Sequence, residues 1–503
     1  MKTFVKNLIL LAALTFTTHA TAYDFMVDGL CYNINSDSTT VTVTHENNST
    51  PYYSSLSGDI VIPEEVSFDN VTYSVIAIGN DSFRYCYDLT SVSIPNSVKS
   101  IGNYSFFNCF RIPNIAISNS VSSIGNYAFS GCTGLTTVVI PESVIFMGAA
   151  VFSECMGLTS VDINNSVISP YQFSNCTGLT SFKIPNSVTS IGDGAFEGCT
   201  GLTDIDIPNS VILIGGSAFD RTQWYDNQPN GLVYAGLVAY RYKGNMPSEA
   251  SVTIKDGTKG IASGAFWGYW SLASVSLPNS ITVIGEGAFS DCQGLKSVNI
   301  PNSVTTIGNQ AFSDCLGLTE MVVPSSVISI GNCVFIRCNH LTKVTLENQI
   351  IGEYMFYACM RLNSVTISNS VASIGDGAFE LCTGLNSIFN YINHPTDVSL
   401  GSAVFDGVDK SNCTLHVIKG RLDEYSEADQ WKDFLNIIDD LEAPVIPGDV
   451  DGNGAVNVSD VTTLVNIILG VVAKDEQVAD INGDGKVNVS DVTALINIIL
   501  GVK

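Results

Sequence analysis

The sequence predicts a β-rich solenoid of about 23-residue coils, followed by a small all-α module. Three regularities predict it. Phenylalanine returns at 83, 106, 129, 152, 173, 196 and 219, and again at 266, 289, 312, 335, 356 and 379; each run steps by 23 residues apart from one step of 21. Cysteine stands three residues after eleven of these, at 86, 109, 132, 155, 176, 199, 292, 315, 338, 359 and 382. Near the end, GDVDGNGAVNVSDVTTLVNIILG is followed by DINGDGKVNVSDVTALINIILG, a duplication offset by 31 residues. A fixed period of roughly 20 to 29 residues marks a stack whose units touch only their neighbours.

Each coil carries its own strand. Leu89, Val92 and Ile94, like Leu295, Val298 and Ile300, fit the L-x-x-L-x-L strand of leucine-rich repeats. The Val and Ile lie two apart and face the core, and the residue between them faces out. Pro95, Pro141, Pro185, Pro208, Pro278, Pro301 and Pro324 follow that strand, where a missing amide helps to end the ladder. Val188 and Ile191 come next, then Gly192, read as a tight turn, then Ala195 and Phe196 as core wedges. One such coil cannot cover its apolar face; roughly fourteen stacked coils can. The pattern resembles the BspA-type leucine-rich repeat family over residues 75 to 410. That resemblance implies a curved β-rich solenoid and a role in adhesion or recognition.

Composition narrows the function. Of 503 residues only 22 are Lys or Arg, and the formal charge of −26 argues against nucleic acid and anionic membrane surfaces. The hydrophobic content of 45% is spread periodically, and past the N-terminus no run approaches a transmembrane span. Residues 1–22 read as a secretory signal: Lys2 and Lys6 precede an apolar run from Leu8 to Phe16, and Ala20-Thr21-Ala22 offers a cleavage site. Fourteen cysteines in an exported chain first suggest disulfides. Their single column argues for buried thiols instead, because parallel side-chain vectors bridge poorly. Metal ligation by them is disfavoured, with no C-x-x-C pair and few histidines.

Taken in order, residues 23–75 alternate apolar and polar residues between turn formers and read as an N-terminal β cap. The solenoid is expected over 76–410, interrupted at 223–260, where Thr222 replaces the column cysteine and two or three strands are expected. Trp224, Tyr225, Trp267 and Trp270 crowd around this insertion, either as a local mini-core or as a contact for a glycan or protein ligand. The outward strand column, from Ser93 through Val139, Asp162 and Lys183 to Thr366, is small and mixed and names no ligand. Residues 411–440 read as a C-terminal cap and 441–447 as a Pro-stiffened linker.

The tail, 448–503, holds the chemistry. Each duplicate opens with a twelve-residue loop whose oxygen donors suit calcium. In the first loop they are Asp449, Asp451, Asn453, the carbonyl of Ala455, Asn457 (directly or through water) and Asp460. In the second they are Asp480, Asn482, Asp484, the carbonyl of Lys486, Asn488 and Asp491. Aspartate at position twelve and the absence of a preceding helix depart from an EF-hand, and the loop-then-helix form resembles the type I dockerin family. That resemblance implies a small helical module folding with two Ca2+ ions and binding a cohesin-like partner. It places partner recognition at loop positions ten and eleven, Val458-Ser459 and Val489-Ser490. The fold class expected is thus a leucine-rich-repeat solenoid with an all-α calcium-binding dockerin domain.

Isolated histidines and the absence of G-x-S-x-G, H-E-x-x-H or P-loop motifs argue against an enzyme. The reading is a secreted or surface-associated bacterial adhesion solenoid, recognising a surface protein or glycan and docked through its tail. The alternative is a carbohydrate-binding or polysaccharide-degrading component of an extracellular complex.

Overall fold

The computed structural model describes residues 23–46, 56–166, 168–444, 448–451, 456–472 and 476–500. The expected signal segment, 1–22, lies outside them. The chain divides into two compact units, Met1–Val238 and Ala239–Lys503. Both contain the expected coil, and the fold is a β-solenoid of about 16 turns.

In the first unit, strand Thr137–Ile140 lies parallel between Asn114–Ala116 and Ser160–Ile163, with Val138 opposite Ile115 and Val161. Its exposed-buried alternation follows the sequence: Val138 and Ile140 are in, Val139 is out. A second, shorter parallel ladder joins Ile101, Ile124 and Met147. Between the two ladders the Pro-Asn-Ser segment turns, with Pro95 O accepting the Val98 amide at 3.2 Å. In the second unit the equivalent main sheet has six parallel strands, from Glu320–Val323 to Asn436–Leu441.

The stack extends past the Phe and Cys marks at both of its ends. Gly58–Val61 pairs in parallel with Leu89–Ser93, and Val71–Ile78 joins the short ladder at Ser100–Ile101. Residues 56–75, expected to cap the solenoid, therefore already contribute to coil sheets. Phe25, Tyr32 and Phe68 stack together over this end. In the second unit, Thr414–Ile418 and Asn436–Leu441 continue the main sheet, and helix Leu422–Glu427 stands beside them.

Phenylalanine forms a continuous ladder within each unit. From Phe83 to Phe106 the ring centroids are 4.9 Å apart with planes 5° apart, and from Phe356 to Phe379 they are 5.4 Å and 5° apart. Phe405, 26 residues after Phe379, adds a last rung that the sequence period did not mark. Offset parallel rings satisfy the aromatic quadrupole while excluding water. Each ladder closes on a tryptophan: Trp224 edges onto Phe219 at 5.0 Å, and buried Trp431 tilts onto Phe405 at 5.1 Å.

Gly192 departs from its expected role. It does not have a positive φ, so no left-handed turn requires it. A Cβ there would lie 2.3 Å from the Pro170 nitrogen of the preceding coil. Glycine is present because successive backbones approach too closely for a side chain.

None of the fourteen cysteines forms a disulfide. Ten of the eleven column thiols donate to a phenylalanine carbonyl of the preceding coil, as Cys109 Sγ does to Phe83 O at 3.1 Å and Cys315 Sγ to Phe289 O at 3.1 Å. Burial pushes the thiols of Cys132, Cys199, Cys292 and Cys382 up to about 12, so they stay protonated at neutral pH. We expect rapid labelling of Cys333, the one cysteine that is not fully buried, in the native protein, and of all fourteen in denaturant without reductant. A denatured count well short of fourteen would show disulfides instead.

Candidate metal centre

Helices α1 (Gln223–Asp226), α2 (Leu422–Glu427), α3 (Val458–Ile468), α4 (Glu476–Ala479) and α5 (Val489–Ile499) occur in chain order, the last three in the tail. α3 and α5 carry apolar residues at helical spacing and bury Leu464, Ile467 and Leu495 with Val450 and Ala479 in one small core. α4 precedes the second loop, where no helix is expected from the sequence; a single turn is too short for periodicity to reveal.

Each long helix starts at an Asn-x-x-Asp capping box. The side-chain oxygen of Asn457 accepts the Ser459 amide at 2.9 Å, and that of Asn488 accepts the Ser490 amide at 2.9 Å. The reciprocal carboxylates, Asp460 and Asp491, are fully buried. Asp460 Oδ1 accepts the amides of Val450 and Asp451 at 2.8 and 3.1 Å, and Oδ2 accepts that of Asn457 at 2.7 Å. Asp491 does the same for Asn482 and Asn488, at 3.2 and 2.8 Å. Loop position twelve thus folds the loop back onto the helix N-terminus, where a carboxylate is electrostatically favoured.

Asp449, Asp451 and Asp460 bring carboxylate oxygens within 4.8 Å of one another, the one group of three metal-ligating side chains found among the described residues. Asp449 and Asp460 are buried and Asp451 is exposed. Three like charges at this separation repel in a poorly solvated site, and a hard divalent cation with oxygen preference fits them. Asn453 and Ala455 lie outside the described residues. In the second loop, Asp480 and Asn482 side-chain oxygens converge on the Asp484 amide at 3.1 and 2.9 Å, and Asp484 accepts the exposed Lys486 amide at 2.9 Å. Here the side chains organise the loop through its amides; three carboxylates do not gather as in the first. Asn457 and Asn488 serve as helix caps, a role already legible in Asn-Val-Ser-Asp.

The pairs expected to meet a partner sit on the first helical turns. Val458 and Val489 are each 70% exposed, at matching places in the two repeats. Ser459 donates to Asp451 Oδ2, and Asn482 donates to Ser490 Oγ at 2.8 Å, so each serine is tied to the third position of its loop.

The four aromatic candidates separate. Trp224 and Tyr225 lie in α1, capped by buried Thr222, whose hydroxyl donates to Phe219 O at 2.7 Å; both rings are half-buried, and Trp224 closes the phenylalanine ladder. Trp267 and Trp270, in the second unit, are 64% and 71% exposed. The outward strand column also runs further than its repeat marks: Thr366 is followed in register by Phe389, His416 and Ile438, with Phe389 and His416 stacked at 4.5 Å. No helix among the described residues is long and apolar enough to cross a membrane.

Comparison with known proteins agrees with this architecture. The model of the BspA type leucine rich repeat region matches residues 63–178, 166–227 and 259–386, and that of the dockerin type I domain matches 447–500. No curated protein matches the chain. Among solved structures, a leucine-rich repeat protein from Bacteroides ovatus is 25% identical over 82% of this chain and 98% of its own, with a TM-score of 0.35. The pneumococcal vaccine antigen PcpA is 19% identical over 85% and 99%, with a TM-score of 0.37. A leucine rich cell surface protein from Faecalibacterium prausnitzii is 23% identical over 73% and 94%, with a TM-score of 0.28. Type I dockerins bind calcium and dock to cohesins in extracellular complexes, and leucine-rich-repeat solenoids are interaction modules rather than catalytic ones. With more than half of its residues matched by the repeat model, this chain belongs to the BspA-type leucine-rich repeat family and carries a type I dockerin domain.

Proposed function

We propose that the protein is exported, that its solenoid recognises a protein on a host or bacterial surface, and that its tail docks it to a cohesin-like partner in the presence of calcium. In this reading residues 1–22 direct export, 23–75 and 411–440 cap the solenoid at 76–410, and 448–503 form the docking module. The observation that carries it is the convergence of Asp449, Asp451 and Asp460 at the start of α3. One ion would be held by Asp449, Asp451, Asn453, Ala455, Asn457 and Asp460, the second by Asp480, Asn482, Asp484, Lys486, Asn488 and Asp491. Bound calcium supplies the positive charge that relieves the carboxylate repulsion. The chain's own residues orient the two helix starts, so Val458-Ser459 and Val489-Ser490 present the same recognition pair twice.

Duplication makes a distinctive expectation. On a panel of immobilised cohesin domains, the full chain should bind at least one in calcium and lose binding in a chelator. Val458→Asp or Val489→Asp alone should leave binding within about threefold, because the other repeat still engages; the double substitution should abolish it. Binding that is absent throughout, or indifferent to calcium, would contradict the docking role.

A further inference from the structure

Trp267 and Trp270 stand out among the aromatic residues of both units. Surface aromatics of the first unit cover one another: Tyr87 stacks on Phe110 at 5.0 Å and Tyr104 on Tyr127 at 4.9 Å, with planes within 6°. No ring or cation lies against either exposed indole among the described residues. The aromatic between them is different again. Tyr269 packs edge-on to Tyr242 and donates to Tyr242 O at 2.8 Å, fixing the turn to the preceding coil. The Trp267 amide donates to Gly264 O at 3.1 Å and the Trp270 amide to Gly268 O at 3.0 Å, so both indoles stem from a hydrogen-bonded turn rather than a free loop. Such preorganisation lowers the ordering cost of binding.

The flank of this pair is polar. Gly268 N donates to Ser290 O at 2.9 Å, which aligns the tryptophan turn with Ser290, Asp291 and Gln293 of the next coil. Gln293 Nε2 is oriented by Asp291 Oδ1 at 2.8 Å. We infer that this turn edge binds a neutral glycan chain, with the two indoles as stacking platforms and Ser290, Asp291 and Gln293 as hydroxyl partners. The C–H face of a sugar ring carries slight positive charge and suits the negative face of an indole, while its hydroxyls need both donors and acceptors. The formal charge of −26 disfavours a polyanionic glycan.

The test is native electrophoresis of the calcium-loaded full chain through gels containing hydroxyethylcellulose, galactomannan, soluble starch or polygalacturonate. Wild type should be slowed by at least one neutral polysaccharide and not by polygalacturonate. Trp267→Ala/Trp270→Ala should weaken the apparent affinity at least tenfold with an unchanged melting temperature, since both side chains are exposed. Trp224→Ala should keep the retardation while lowering the melting temperature, because that ring closes the phenylalanine ladder. No retardation in any neutral gel, retardation by polygalacturonate alone, or equal retardation of the double variant would each overturn the assignment.

Discussion

Gly148→Ala is expected to destabilise the first unit by about 3 kcal/mol, at the upper end of the range for overpacked sites. A Cβ at Gly148 would lie 2.4 Å from Asn126 N, 2.6 Å from Gly125 C and 2.7 Å from Asn126 Oδ1. Two of these atoms are backbone, and the third is committed, because Asn126 Oδ1 accepts the Ala149 amide at 2.7 Å. The neighbouring coil cannot yield without breaking its own ladder. Gly148 has no positive φ, and at such a position alanine ordinarily stabilises by about 0.4–1 kcal/mol through the unfolded chain. The sign is reversed here by contact between coils. Gly257→Ala is the comparison: nothing lies within 4 Å of its Cβ, and its φ of +84° should cost about 1–2 kcal/mol from backbone strain alone. Denaturant midpoints of the three proteins measure both effects, and a Gly148→Ala protein as stable as the parent would refute the close-approach account.

The sequence was legible where one residue type performs one task in every coil. Phe196, Cys199 and the Val-x-Ile strand recur because each occupies the same place in the stack, and each lies where its period puts it. The solenoid's margins were harder. Gly58–Val61 and Asn436–Leu441 pair as coil strands, yet they lack a column Phe and Cys, since at a margin other groups cover the core. Phe25, Phe68 and Trp431 do that work from irregular positions. Gly192 differs from its expected role for a physical reason: a glycine forced by a turn and one forced by a neighbouring backbone look alike in one sequence. Trp224 and Trp270 likewise cannot be told apart by residue type, and burial separates them. In the tail the loop spacing reveals the carboxylates, and Asn457 and Asn488, which that spacing marks as ion ligands, also cap the two long helices.

Asp460→Ala should have the largest effect in the tail. Its carboxylate is fully buried and holds the amides of Val450, Asp451 and Asn457. Alanine leaves those amides without an acceptor, at about 1–3 kcal/mol for each buried group, and removes a ligand from the carboxylate cluster. Because metal affinity and folding of a small loop are one free energy, the first loop should lose both its ion and its structure.

Calorimetric titration of calcium into the metal-free full chain measures this directly. The wild type should take up two ions per chain and Asp460→Ala one, and limited proteolysis should cut between 448 and 472 in the variant but not in the calcium-loaded parent. A wild-type chain that takes up no calcium, or a variant that binds as much as its parent, would contradict the claim that metal ions organise this tail for docking.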